Sequence, residues 1–114
     1  MTNNYDLEGR VTKFGVGVAV FCRTLKLDSV NCRIVEQVIG SCGSVGANYL
    51  EANDALGKKD FVMRLKIARK EAKEAVHWLE MLKSANPNHS GEIEKLVCEA
   101  VELQNILSAI ISKV

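Results

Sequence analysis

Two histidines, four cysteines and fourteen acidic residues are the groups through which this 114-residue chain could do metal or thiol chemistry. Glu74 and His77 stand in a Glu-x-x-His pair, "EAVH". On a helix, residues i and i+3 share a face, and di-iron bundles use that spacing to grip a metal. A complete site needs a second such pair and two further carboxylates. The chain holds one copy, and His89 falls among loop residues, so no metal or cofactor site is expected. Cys22, Cys32, Cys42 and Cys98 include no Cys-x-x-Cys pair and have no histidine at zinc-ligand spacing. They read as free thiols of a reducing cytoplasm. Ser41 and Ser44 lack a nearby histidine, and nothing resembles the strand-to-helix elbow of a serine nucleophile. The expectation is a protein without catalytic residues.

The stretch "GSCGSVGANYLEAND" raises a second possibility, a phosphate loop, because Gly40, Gly43 and Gly46 recur every third residue. Such a loop follows a strand, opens a helix and carries a lysine. Here helical periodicity runs through both flanks and the lysine is absent. The glycines are therefore expected inside a helix, with Gly40, Gly43, Ser44, Gly46 and Ala47 forming a slim face that another helix can approach closely. Asn48 and Glu51 lie one turn apart on that helix. They read as a packing and register device, with Glu51 within reach of Arg64, Lys66 or Lys70 on the next helix.

Charge offers the remaining constellation. Lys58, Lys59, Arg64, Lys66, Arg69, Lys70 and Lys73 face only Asp60 and Glu71 in the same span. Lys59, Lys66 and Lys73 repeat every seven residues and Lys70 stands beside them, so these four make one outward strip, the candidate nucleic-acid-binding residues. The alternative is a solvated helix face balanced by Glu74 and Glu80. No aromatic residues interleave with the lysines, so any nucleic acid would be held through its backbone.

Four helices must position these groups. Apolar residues recur at steps of three and four over residues 7–25, 30–55, 60–84 and 93–114. Asp28 or Ser29 is the expected N-cap of the second helix, Gly57 its C′ residue, and Ser90 the cap of the fourth. With one proline and 5 % aromatics, an all-β fold is disfavoured. Short connections point to a single all-α domain, residues 1–114, as an antiparallel up-down-up-down four-helix bundle. The last helix carries Val97, Val101, Ile106 and Ile111 beside or beyond its seam. So wide an apolar arc suggests a second buried contact, namely another subunit. Net charge is +1, so the chain as a whole creates no field that selects nucleic acid or membrane. "MTNNYDLEGR" lacks a secretory layout and no apolar run spans a bilayer, which leaves a cytoplasmic protein without membrane contact as the expectation.

"SVGANYLEA" followed by "KKDFVMRLKIARKEAKEAVHWLEML" resembles the four-helix-bundle family of 23S ribosomal RNA intervening-sequence proteins, also called S23-like. The resemblance runs from "GRVTKFGVGV" through Leu82, more loosely into the last helix. It rests on a Ser-x-x-x-Asn-x-x-Glu core (Ser44, Asn48, Glu51), an acidic-Phe start to the third helix (Asp60, Phe61), a Lys-Glu-x-x-Glu stretch (Lys70, Glu71, Glu74) and the aromatic Trp78. Many members place proline between the first two helices, where "LKLDS" has none. The resemblance implies a bacterial cytoplasmic bundle that assembles as a homopentamer. RNA or a nucleoprotein is the candidate partner of the basic strip on the third helix, with a purely protein-binding adaptor as the alternative.

Overall fold

The computed structural model describes residues 6–114; residues 1–5, part of the N-terminal stretch read above for a leader, lie outside the described residues. Four helices follow one another: α1 (Leu7–Cys22), α2 (Ser29–Asn53), α3 (Lys58–Ala85) and α4 (Ser90–Ser112), with a 3₁₀ turn at Pro87–His89 before α4.

Each start has a local cause. Asp6 caps α1 by accepting a hydrogen bond from the Gly9 amide at 2.8 Å. Asp28 caps α2, accepting from the amides of Val30 and Asn31. Gly57 is the N-cap of α3 rather than a residue closing α2; its backbone is extended, φ −168°, so no left-handed turn demands glycine there. Ser90 is the first residue of α4, because the 3₁₀ turn from Pro87 already directs the chain and leaves His89 at the cap without a side-chain hydrogen bond to the helix backbone. α1 ends at Cys22, short of the periodicity, yet Leu25 remains buried from the following turn.

Cross-helix pairs fix the directions. Gly46 lies against Val11 and Gly15 against Cys42, so α1 and α2 run antiparallel. Arg64 reaches Asn48 while Asn86 reaches Asn31, which reverses α3 on α2. Arg69 meets Ser108 and Lys83 meets Glu94, which reverses α4 on α3. The bundle is antiparallel throughout. One core runs through all four helices, with Val11, Val18, Val38, Val45, Leu65, Leu79, Ile93 and Leu103 at its centre. Burying each such aliphatic side chain contributes roughly 1.5–3 kcal/mol.

Two polar connections hold the ends. Asn31, 4 % exposed, forms a reciprocal amide pair with Asn86: each Nδ2 donates to the other's Oδ1 at 2.9 Å. Their second protons go to the carbonyls of Lys26 and Leu82. At the other end, the Arg10 guanidinium donates to both Glu99 oxygens at 2.8 Å and to Glu102 at 2.9 Å, joining α1 to α4. These carboxylates raise the Arg10 pKa further above its ordinary value.

The slim glycine face is narrower than its sequence suggests. Gly46 is buried against Val11, where an added Cβ would meet the Val11 carbonyl oxygen at 3.5 Å. At Gly40 and Gly43 an added Cβ would meet nothing within 4 Å, although the Gly43 Cα itself lies 3.9 Å from a Cβ added at Gly15 of α1. The apolar excess of α4 is also mostly absorbed inside the bundle. Val97 is buried, and Ile106, Ile110 and Ile111 pack on the core, leaving Val101 exposed. The exposed large apolar residues lie mainly elsewhere: Val16 and Val20 on α1, Ile39 and Leu50 on α2, Met63 and Met81 on α3.

Candidate nucleic-acid interface

α3 is helical for 28 residues, so a seven-residue repeat stays on nearly one side of it. Its core side is Leu65, Ala68, Ala72, Ala75, Leu79 and Leu82, all buried. Lys59, Lys66, Lys70 and Lys73 are therefore turned outward, and all four are exposed. Among the described residues Lys59, Lys66 and Lys73 make no ion pair. Lys70 approaches Glu74 at 3.8 Å, with both side chains largely in water, which is worth little.

The strip divides into two surroundings. Toward its C-terminal half, Lys66, Arg69, Lys70 and Lys73 line a shallow groove with Gln104 and Ser108 of α4. Arg69 donates a long hydrogen bond, 3.5 Å, to Ser108 Oγ, and no carboxylate lines the groove. Four cations beside an amide and a hydroxyl suit a phosphate: arginine offers a planar fork, lysine a mobile charge. Toward the N-terminal half, Lys58, Lys59, Lys66 and Lys70 surround the apolar Val62, Met63 and Ile67. The lysine strip is thus polar at one end and apolar at the other.

The remaining motif residues divide between the core and the surface. Asn48 is half-buried; its Nδ2 donates to the Ser44 carbonyl at 2.9 Å and its Oδ1 accepts from Arg64 at 3.5 Å. Asp60 lies 4.0 Å from the same arginine. Glu51 is exposed and makes no ion pair among the described residues: Arg64 is turned to Asn48 and Asp60, and Lys66 and Lys70 point outward from α3. Phe61 and Trp78 are half-buried on the core, and Trp78 meets His77 edge-to-face at 4.9 Å. Glu71 is half-buried and Glu74 exposed. His77 is exposed, and no group of three metal-ligating side chains occurs among the described residues.

Arg69, Gln104 and Ser108 join the site although the heptad spacing of the lysines omits them. The spacing of Gln104 and Ser108, one helical turn, was visible in the sequence; their facing Arg69 depends on how α4 packs against α3. The cysteines divide into buried Cys22 and Cys42 and exposed Cys32 and Cys98, all free. Burial pushes the Cys42 thiol up to about 12. No helix among the described residues is long and apolar enough to cross a membrane.

The family model described as 23S rRNA-intervening sequence protein matches residues 12–109, nearly the whole chain. The chain belongs to this family. A 23S rRNA-intervening sequence protein thus has its basic strip, its Ser44–Asn48–Glu51 stretch and its Arg10 clamp partner Glu99 all within the matched region. The chain is also similar to a crystal structure of a protein with unknown function from the S23 ribosomal protein family from Bacteroides thetaiotaomicron. The TM-score is 0.80 at 28 % identity, over 91 % of this chain and 96 % of that one. No curated protein matches the chain.

Proposed function

We propose that this protein is a non-enzymatic, self-associating cytoplasmic scaffold whose α3–α4 groove binds the phosphate backbone of RNA or a nucleoprotein. One observation carries the reading: Lys66, Arg69, Lys70 and Lys73 converge with Gln104 and Ser108 in a groove that no carboxylate lines. Backbone neutralisation dominates such binding, so it is tolerant of sequence. Lys59 extends the strip along α3. The family description refers to 23S rRNA, in keeping with an RNA partner.

The exposed apolar residues of the N-terminal half of α3 favour a second reading, an adaptor that binds protein and has no affinity for nucleic acid. Fluorescence anisotropy with structured and single-stranded RNA separates the two. The wild type should bind at low salt. Arg69→Gln with Lys73→Gln should lose about tenfold, and Lys59, Lys66, Lys70 and Lys73 replaced together by glutamine should lose more, with an unchanged melting curve. Absence of binding at low salt, or equal binding by the quadruple variant, would leave the adaptor.

A further inference from the structure

We propose that Gln104 and Ser108 read the ribose 2′-hydroxyl, so that the α3–α4 groove holds RNA in preference to DNA; the inference rests on the phosphate-backbone reading above and names what the neutral side chains add to it. The phosphates of a nucleic-acid backbone present only acceptors, which lysine and arginine meet as pure donors. The 2′-hydroxyl is the donor that an RNA backbone adds and a DNA backbone lacks. Lys66, Arg69, Lys70 and Lys73 cannot accept a hydrogen bond, so they hold the two nucleic acids alike. The other two residues that line the groove are Gln104 and Ser108, and their Oε1 and Oγ are its side-chain acceptors.

Both acceptors have capacity to spare. Ser108 Oγ receives only the 3.5 Å contact from Arg69, at the outer limit of a hydrogen bond, and Gln104 makes no side-chain hydrogen bond among the described residues. Both side chains are half-buried against the flank of α3, where water competes less for a hydrogen bond than at an open surface. They stand one helical turn apart on α4. The antiparallel register that sets Arg69 opposite Ser108 and Lys83 opposite Glu94 also sets Lys73 opposite Gln104. Each acceptor thus has a cation across the groove. An RNA backbone has the matching layout, because every 2′-hydroxyl sits beside the phosphate on the neighbouring 3′ oxygen. A neutral acceptor suits this place better than a carboxylate, which would take the hydroxyl proton but repel the phosphate next to it. Glu94, Glu99 and Glu102 of α4 are engaged elsewhere, the first by Lys83 and the other two by Arg10.

The test is fluorescence anisotropy at low and physiological salt with single-stranded RNA, DNA and 2′-O-methyl RNA carrying the same bases, with circular dichroism melts to establish folding. Methylation keeps the oxygen and removes the donor. The wild type should bind RNA about five- to tenfold more tightly than either other strand, the worth of one or two hydrogen bonds. That ratio should hold as salt rises, because the hydroxyl is uncharged and releases no counterion. Gln104→Met with Ser108→Ala should lower the affinity for RNA to that for DNA and leave the affinity for DNA unchanged. Each change alone should remove part of the preference, which keeps the test open should the pair fold poorly. Equal wild-type affinity for RNA and DNA, methylated RNA that binds as RNA does, or a folded pair variant that keeps the preference would overturn the role of the two side chains and leave the groove a phosphate site. Equal losses for RNA and DNA in the variant would do the same. Absence of binding to all three strands at low salt would remove the phosphate-backbone reading itself, and this inference with it.

Discussion

Asn31 is where one side chain commits the chain to its tertiary arrangement. Its amide pairs with Asn86 across the α2–α3 seam and holds the carbonyl of Lys26 in the preceding turn. Replacing Asn31 by alanine leaves the Asn86 amide and the Lys26 carbonyl without these partners, and should cost about 1–3 kcal/mol in a denaturant melt. Asn48→Ala should cost less, because its partners are its own helix and a 3.5 Å contact with a half-exposed arginine. Asn48 was the polar residue that the heptad seam singled out. Asn31 escaped because its partner is 55 positions away in a loop, which spacing within a helix does not reveal. The thiols give a second residue-scale test. Cys32 and Cys98 should react with a disulfide reagent in the native protein, whereas Cys22 and Cys42 should wait for unfolding. Burial keeps the Cys42 thiol protonated to about pH 12 when folded, against an ordinary thiol value of 9.0. Stability from this group is therefore present below pH 9 and declines as pH rises from 9 toward 12, since the unfolded thiol ionises first.

Among the elements, α1 is the one whose sequence argues most against its own helix. Gly9, Gly15 and Gly17 all lie in it. A glycine within a helix costs about 1 kcal/mol relative to alanine. At Gly17 an added Cβ meets nothing within 4 Å, so Gly17→Ala should raise stability by about 0.5–1 kcal/mol in a thermal melt. Gly46→Leu should act in the opposite direction, by about 1–3 kcal/mol, because α1 packs on Gly46 through the Val11 carbonyl. Gly43→Leu should leave the melt of an isolated bundle nearly unchanged. These opposite expectations mark what spacing could and could not convey. Helices α2, α3 and α4 were legible because strict steps of three and four match one buried face. Which glycines of "GSCGSVG" face α1 was not, since Gly43 and Gly46 differ only by their rotation about α2. Gly57 and Ser90 likewise carried the right residue types for caps, but their roles depend on the extended backbone before α3 and the Pro87 turn before α4.

At the scale of the whole molecule the central quantity is how many basic grooves act together. A chain of net charge +1 has no long-range field, so one α3–α4 groove with four cations must act locally. If the groove neutralises about three or four phosphates, log affinity should fall with log salt at a slope of roughly −2 to −4 for single-stranded or duplex RNA. In an assembly of the kind proposed, several grooves would share one particle, and a long RNA could engage them in turn. Affinity then rises through effective concentration, with no change in the contacts of each groove. Chain length should therefore matter for an assembly and hardly at all for a monomer. The measurement is anisotropy with RNA of increasing length, across a salt series, at protein concentrations above and below the one at which light scattering shows assembly. The assembly should gain at least tenfold from the shortest to the longest RNA and show a steeper slope for the longer ligand. Protein diluted to the monomer should bind every length with the affinity the assembly shows for the shortest. Equal length dependence in the two states would mean that the grooves act singly, even if the protein assembles.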